Sequence, residues 1–255
     1  LYIMYNIMKY HIIIFKDMFS NFRIIFILSL LSFLFSIDAS KIISIKPGSL
    51  RGFYMFGICK YIRDNYDMSE FTCYGASAGA WNSFYLTKKK PDLKMESFLK
   101  SLDKNKFKTL YELEEKLKNY YLSNYVANDY NLDKLNICVS VLNNYKLEKK
   151  IFSDFTTLED TLQCCIASSH IPYITRRSLY YQFREYNCID GGFFMNPHYD
   201  YQEPNIIIEP DMWKNEETAK YSSLYNMDNL DIPKLIDIGY EDARKHKEEL
   251  DEALK

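Results

Sequence analysis

Gly75-Ala-Ser-Ala-Gly79 sets a serine between two pairs of small residues, the G-x-S-x-G spacing of a nucleophile held on a sharp turn. Ser77 in that place would attack an ester carbonyl, given a base to take its proton and donors to stabilise the oxyanion. Further along, Asp190 ends the apolar run YNCI and is followed by Gly191 and Gly192, which let another backbone come close to its carboxylate. The bland alternatives are a tight strand-to-helix turn without chemistry at Ser77 and an ordinary Asp-Gly turn at Asp190.

Glycine is scarce, which gives its placement weight. With 8 Gly and 20 Ser in 255 residues, a chance G-x-S-x-G is expected at roughly 2%. Gly48, Gly52 and Gly57 are assigned to an earlier strand-to-helix turn, Gly75 and Gly79 flank Ser77, and only Gly239 stands apart. The four histidines offer little. His11 lies in an N-terminal segment, His170 reads as a turn or core residue before Pro172, and His246 reads as solvated in a charged terminal helix. His198, in a loop after Asn196-Pro197, is the one that would complete a Ser–Asp–His order. A buried Asp190 would instead take the serine proton directly. Both remain open on the residues alone.

Elements are needed to position these groups. KIISI (41–45) reads as a strand running into Pro47-Gly48, and GFYMFGICKYIRDNY as the helix that follows. EFTCYG (70–75) is a second strand, and ASAGAWNSFYLTKK a helix whose first turn aims its N–H groups and dipole at Ser77. Residues 88–121 read as exposed, charged helices broken at Pro91; KTLYELEEKLKNYYLSNY within the wider stretch is either a cap over a substrate or a packing helix. KLNICVSVL (134–142) and KKIFSDF (149–155) read as strands. TLEDTLQCCIASSHIP is a helix capped by Thr157, with Asp160 three residues on. SLYYQF, YNCID and NIIIEP are further strands, and one long mixed-charge helix runs from Ile232. Strand and helix alternate, so a single α/β layered domain is expected.

Length and composition set bounds. A chain of this size can bury a full core as one domain. Lys plus Arg total 32 against 34 Asp plus Glu, a net charge of -2 that argues against general nucleic-acid binding. None of the six Cys has C-x-x-C spacing, so buried free thiols are expected rather than a zinc or redox site. Residues 1–40 read as a leader: Arg23, an apolar run from Ile24 to Ile37, then Ala39-Ser40, the order of a secretory signal peptide, with a retained anchor as the second reading. The protein is then membrane-associated or secretory if that leader is genuine, and cytoplasmic otherwise. Residues 41–255 are the remaining domain.

Three motifs, in order, resemble those of the patatin-like phospholipases. SIKPGSLRGFYMFG (44–57) is similar to the family's glycine-rich oxyanion segment, GASAG (75–79) to its nucleophile elbow, and DGG (190–192), followed by Asn196-Pro197, to its catalytic aspartate motif. CIASSHIPYI (165–174) resembles the segment that precedes the aspartate. The resemblance implies a three-layer α/β/α domain with a mostly parallel central sheet. It also implies a Ser77–Asp190 dyad that hydrolyses acyl esters of phospholipids at a membrane surface through an acyl-enzyme, without cofactor or metal. The oxyanion would meet N–H groups around Gly48, Ser49, Leu50 and Arg51; Gly52, Gly75, Gly79, Gly191 and Gly192 would support the motifs. The Arg51 side chain would hold the loop or meet a lipid phosphate. Pro47 stands where the family has the first glycine of a triplet and has no N–H to donate; Ser49 stands at the third. These departures leave a lipid-binding protein without turnover as an alternative, beside an α/β-hydrolase-type esterase using Ser77 and His198.

Overall fold

The computed structural model describes residues 41–90, 93–102, 107–221, 227 and 230–255. The leader expected over 1–40, its His11 and the break at Pro91 lie outside the described residues. The strands are β1 (Lys41–Ile45), β2 (Phe71–Ala76), β3 (Leu135–Asn143), β4 (Lys146–Phe152), β5 (Tyr181–Phe183), β6 (Tyr186–Ile189) and β7 (Ile206–Ile208). The helices are α1 (Gly52–Asn65), α2 (Ala78–Leu86), α3 (Leu93–Ser101), α4 (Leu110–Asn124), α5 (Leu158–Ser168), α6 (Glu216–Ala219), α7 (Ile232–Lys245) and α8 (Lys247–Leu254).

All seven strands form one sheet in the order β5-β6-β3-β2-β1-β7, with β4 also paired to β3. β7, β1, β2 and β3 run parallel, whereas β4 and β6 are antiparallel to β3 and β5 is antiparallel to β6. Ile43, Ile45, Cys73, Tyr74, Ile137, Cys138 and Val139 are buried on successive positions rather than alternate ones. A parallel sheet covered by helices on both faces requires that pattern, so this is the expected mixed α/β architecture with a mostly parallel centre.

Three expectations are corrected in detail. Gly57 is not part of the first turn but lies within α1, where it faces Gly239 of α7; a Cβ on either would strike backbone of the other helix. Missing side chains let the two helices approach closely. The helix from Ile232 is interrupted at His246, whose ring stacks on Trp213 at 4.5 Å and whose Nδ1 meets the Asp242 carbonyl at 2.9 Å. β4 also begins three residues earlier than its apolar pattern suggested. Asn144 and Tyr145, both with positive φ, close a two-residue hairpin, so exposed Lys146 and Leu147 are already paired.

Register decides where the functional residues meet. Cys138 of β3 has Ala76 of β2 on one side and Ile151 of β4 on the other, and Ser140 has Ile189 of β6 opposite Lys149 of β4. β2 and β6 therefore share one edge of β3 and run towards each other along it. β2 ends beside Cys138 and β6 ends beside Ser140, which leaves Val139 between them. The next residue after β2 is Ser77, and the next after β6 is Asp190.

Candidate active site

Ser77 turns the chain from β2 into α2 with φ 54° and ψ −125°, a conformation that a serine holds only at a cost of about 1–3 kcal/mol. Its surroundings hold it there. The Ser77 N–H donates to Ser168 Oγ at 2.8 Å, and that hydroxyl donates to the Cys138 carbonyl at 2.7 Å, taking up the acceptor that the ladder leaves free. Gly75 and Gly79 supply space: a Cβ on Gly75 would enter the Gly79 carbonyl, and one on Gly79 the carbonyl of Ile45. α2 thus starts hard against the end of β1, with the N-terminal end of its dipole at Ser77.

Asp190 arrives from the other side. Its N–H donates to the His170 carbonyl at 2.7 Å, and its carbonyl accepts from Ser140 Oγ at 2.8 Å. Gly191 lies so near the Cys138 carbonyl that any side chain would collide. Asp190 Oδ1 accepts the Gly192 N–H at 2.6 Å and Oδ2 accepts the Ser77 hydroxyl at 2.7 Å. Burial pushes this carboxyl up to about 6, while its bonds to Ser77 and Gly192 pull the other way. A carboxylate in that range can accept a proton near neutral pH and return it.

The glycine-rich segment after β1 folds into a single 3₁₀ turn, Ser49–Arg51. The Arg51 N–H donates to the Gly48 carbonyl at 3.0 Å, so it is spent within the turn. Among the described residues, the N–H groups of Gly48, Ser49 and Leu50 have no protein acceptor. Ser49 has φ 52°, and its hydroxyl is buried without a partner. Pro47 packs over Gly192. The Arg51 guanidinium forms an ion pair with Asp211 beyond β7, which ties the loop to that strand end.

Ser77 sits where two spaces join. One is a cavity of about 130 Å³, lined mainly by apolar side chains that include Leu50, Phe53, Trp81, Leu113, Leu117 and Tyr121. The other is an open mouth of about 450 Å³ between Pro47, Gly48, Ser49, Asp190, Phe193 and Met195. Ser49, Ser77 and Ile171 line both. α4, left open as cap or packing helix, walls the apolar cavity with Leu110, Leu113, Glu114, Leu117 and Tyr121. Glu114 is buried there; its Oε1 accepts from Ser169 Oγ at 2.7 Å, and burial raises its carboxyl to about 8. Arg176 stands 3.6 Å away, but its shorter contact, 2.9 Å, is with Glu115, so burial outweighs that attraction.

The histidines fall elsewhere. His198 is buried with Nδ1 at 2.8 Å from Ser44 Oγ in β1, not beside Ser77, and burial followed by the charge of Lys149 lowers its basicity. His170 Nδ1 meets Thr175 Oγ1 at 3.1 Å, and its ring is buried. Among the described residues, no group of three or more His, Cys, Asp or Glu side chains is placed to hold a metal ion, and all six Cys are free and buried. Sequence reasoning did not single out Ser140, Glu114 or the clamp at Ser168; the only signal for Ser168 was its place in the A-S-S-H-I-P segment. A search of curated proteins finds no match to the chain. A family model described as patatin-like phospholipase matches residues 43–201, the span from β1 to just past Asp190.

Proposed function

The chain belongs to the patatin-like phospholipase family, whose members are lipid acyl hydrolases, and from that premise we propose that it hydrolyses fatty-acyl esters of phospholipids with Ser77 as nucleophile and Asp190 as base. The observation that carries this reading is the 2.7 Å bond between a buried carboxylate and a conformationally strained serine at the junction of an apolar cavity and an open mouth. The acyl chain would occupy the cavity behind Trp81 and Leu113, and the head group would stay in the mouth.

Ser77 Oγ attacks the acyl carbonyl carbon while its proton passes to Asp190 Oδ2. Negative charge develops on the carbonyl oxygen and is met by the N–H groups of Gly48, Ser49 and Leu50, with support from the N-terminal end of α2. The C–O bond to the lipid alcohol then breaks, and the alcohol leaves with the proton held by Asp190. Water attacks the acyl-enzyme as Asp190 takes its proton; the bond between Ser77 Oγ and the acyl carbon then breaks, and Oγ recovers the proton from Asp190 as the fatty acid is freed. Residues 41–255 are the hydrolase domain in this proposal, with 1–40 as its signal or anchor. Among the described residues, no helix is long and apolar enough to cross a membrane.

The test is fatty-acid release from mixed phospholipid vesicles in EDTA by the full chain and its Ser77→Ala and Asp190→Asn variants. Release that both substitutions abolish, and that EDTA leaves alone, supports the dyad. Release surviving Asp190→Asn but lost in His198→Ala would replace it with the Ser–His esterase. A second reading, lipid binding without turnover, is favoured by one feature: Pro47 brings no N–H and that of Arg51 is spent, so the hole has fewer donors than its four-residue frame suggests. Vesicle binding by a folded protein that releases no fatty acid would support it.

A further inference from the structure

The mouth beside Ser77 is rimmed by apolar side chains that a water-facing surface does not need. Phe193 and Met195, which line it, are 61% and 62% exposed. Ile171 lines the same mouth and opens the segment that carries Tyr173, 70% exposed, and Leu179, 51% exposed, together with half-exposed Ile174 and Tyr180. That segment is folded rather than loose. The Tyr173 N–H donates to the Ser178 carbonyl at 3.1 Å, the Ile174 and Thr175 N–H groups both donate to Ile171, and Thr175 Oγ1 accepts from the Ile171 N–H at 3.0 Å. A rigid loop presenting its large apolar groups outward has placed them there at a hydration cost.

Charge at this end of the sheet points the same way. Glu209 is paired with Lys46 at 2.6 Å and Asp211 with Arg51, so the carboxylates that follow β7 are neutralised. Arg177, exposed within the apolar loop, has neither ion pair nor hydrogen bond among the described residues. Aromatic and aliphatic groups around an unpaired cation match the interface of a bilayer, where rings and methylenes enter the acyl boundary and the cation meets phosphate.

We propose that the 171–180 loop and the Phe193–Met195 segment together form the face by which the protein docks on a phospholipid bilayer containing anionic lipid, with the mouth at Ser77 facing the lipid. It rests on the proposed lipid substrate class, because a lipid drawn into the cavity must leave the bilayer through this opening. Docking there shortens that path to the width of the rim.

The test is local, so that residues 1–40 do not confound it. Tyr173→Trp and Phe193→Trp are placed one at a time in the 255-residue chain carrying Ser77→Ala. Fluorescence is then measured on phosphatidylcholine–phosphatidylglycerol vesicles whose acyl chains carry bromine, after subtraction of the parent's Trp81 and Trp213 signal. Val126→Trp serves as the control. Its site is exposed and lies near Tyr125 and Tyr130, which pack around Lys88 just past the C-terminal end of α2, away from Ser77. At least twofold stronger quenching at 173 and 193 than at 126 is expected, falling severalfold when phosphatidylglycerol is omitted or Arg177→Gln is added. Equal quenching at 126, or none at 173 and 193, overturns the proposal even where the protein sediments with vesicles. Rim quenching by a protein whose wild type releases no fatty acid would keep the docking face and remove the hydrolase.

Discussion

With Asp190 as the proposed base, the burial of one carboxyl would set the shape of the kinetics. The base works only when ionised, and burial disfavours its ionised form, so the folded-state value rises to about 6 instead of falling below 4. kcat/KM is expected to climb about tenfold per pH unit below 6 and to flatten above it. A pH–rate profile on a soluble ester checks this, and a plateau continuing below pH 5 would exclude Asp190 as the base. Asp190→Asn and Ser77→Ala should each lower kcat by at least about 10³-fold, and the double variant by no more than the worse single one, since the two act as a unit. Ser49 offers a test in the opposite direction. Its φ of 52° and its buried unpartnered hydroxyl both cost stability, whereas glycine fits the angle and carries no hydroxyl. After the entropy lost by glycine, Ser49→Gly should gain about 1 kcal/mol, seen as a higher urea midpoint; an unchanged or lower one would show that the loop draws on that hydroxyl.

Elements turn the glycine pattern into steric statements. A methyl on Gly79 meets the backbone oxygens of Ile45 and Lys46, which cannot yield without moving α2 off β1, while a methyl on Gly48 clashes with the flexible end of Met55 and merely touches the Pro210 ring. Gly79→Ala should therefore cost about 1–3 kcal/mol and most of the activity, and Gly48→Ala well under 1 kcal/mol. Thermal melts of the two side by side decide it; similar losses would mean that the tight packing of α2 on β1 is not what Gly79 provides. Ser168→Ala strips the clamp from the Ser77 N–H and the Cys138 carbonyl, and should lower stability by about 2 kcal/mol in urea titration. The contrast shows what was legible beforehand. Small residues on either side of Ser77, and the apolar run ending at Asp190, announced themselves by type and spacing. The meeting of β2 and β6 end to end along β3 did not, because it depends on how β3 pairs with two separate distant segments, Ala76 with Cys138 on one side of the gap and Ser140 with Ile189 on the other. His198 was ambiguous for the same reason: nothing local to Asn196-Pro197 reveals that its partner is Ser44. Gly57 looked like turn punctuation because its facing glycine, Gly239, lies in a helix far along the chain.

For the molecule as a whole, two buried carboxyls make stability depend on pH in a direction opposite to that of ordinary salt-bridged acids. Glu114 rises from 4.5 to about 8 and Asp190 from 3.8 to about 6, both mainly through burial. Below about pH 3 each is protonated in the folded and the unfolded chain, and folding bears no charge penalty. As pH rises the unfolded chain ionises first, so it binds fewer protons than the native state and native stability falls. The decline from Asp190 levels off above about pH 6, and that from Glu114 continues to about pH 8. Most of the loss across pH 6–8 therefore belongs to Glu114, on the order of 2–3 kcal/mol. Glu114→Gln keeps an acceptor for Ser169 and cannot ionise, so its urea-unfolding free energy should stay nearly flat between pH 6 and 8 while that of the parent drops. Whatever their order at pH 6, the variant should gain on the parent by about 2–3 kcal/mol between pH 6 and 8. Parallel curves for the two proteins would mean that Arg176 keeps Glu114 ionised throughout, and that the wall of the apolar cavity carries a salt bridge in place of a neutral acid.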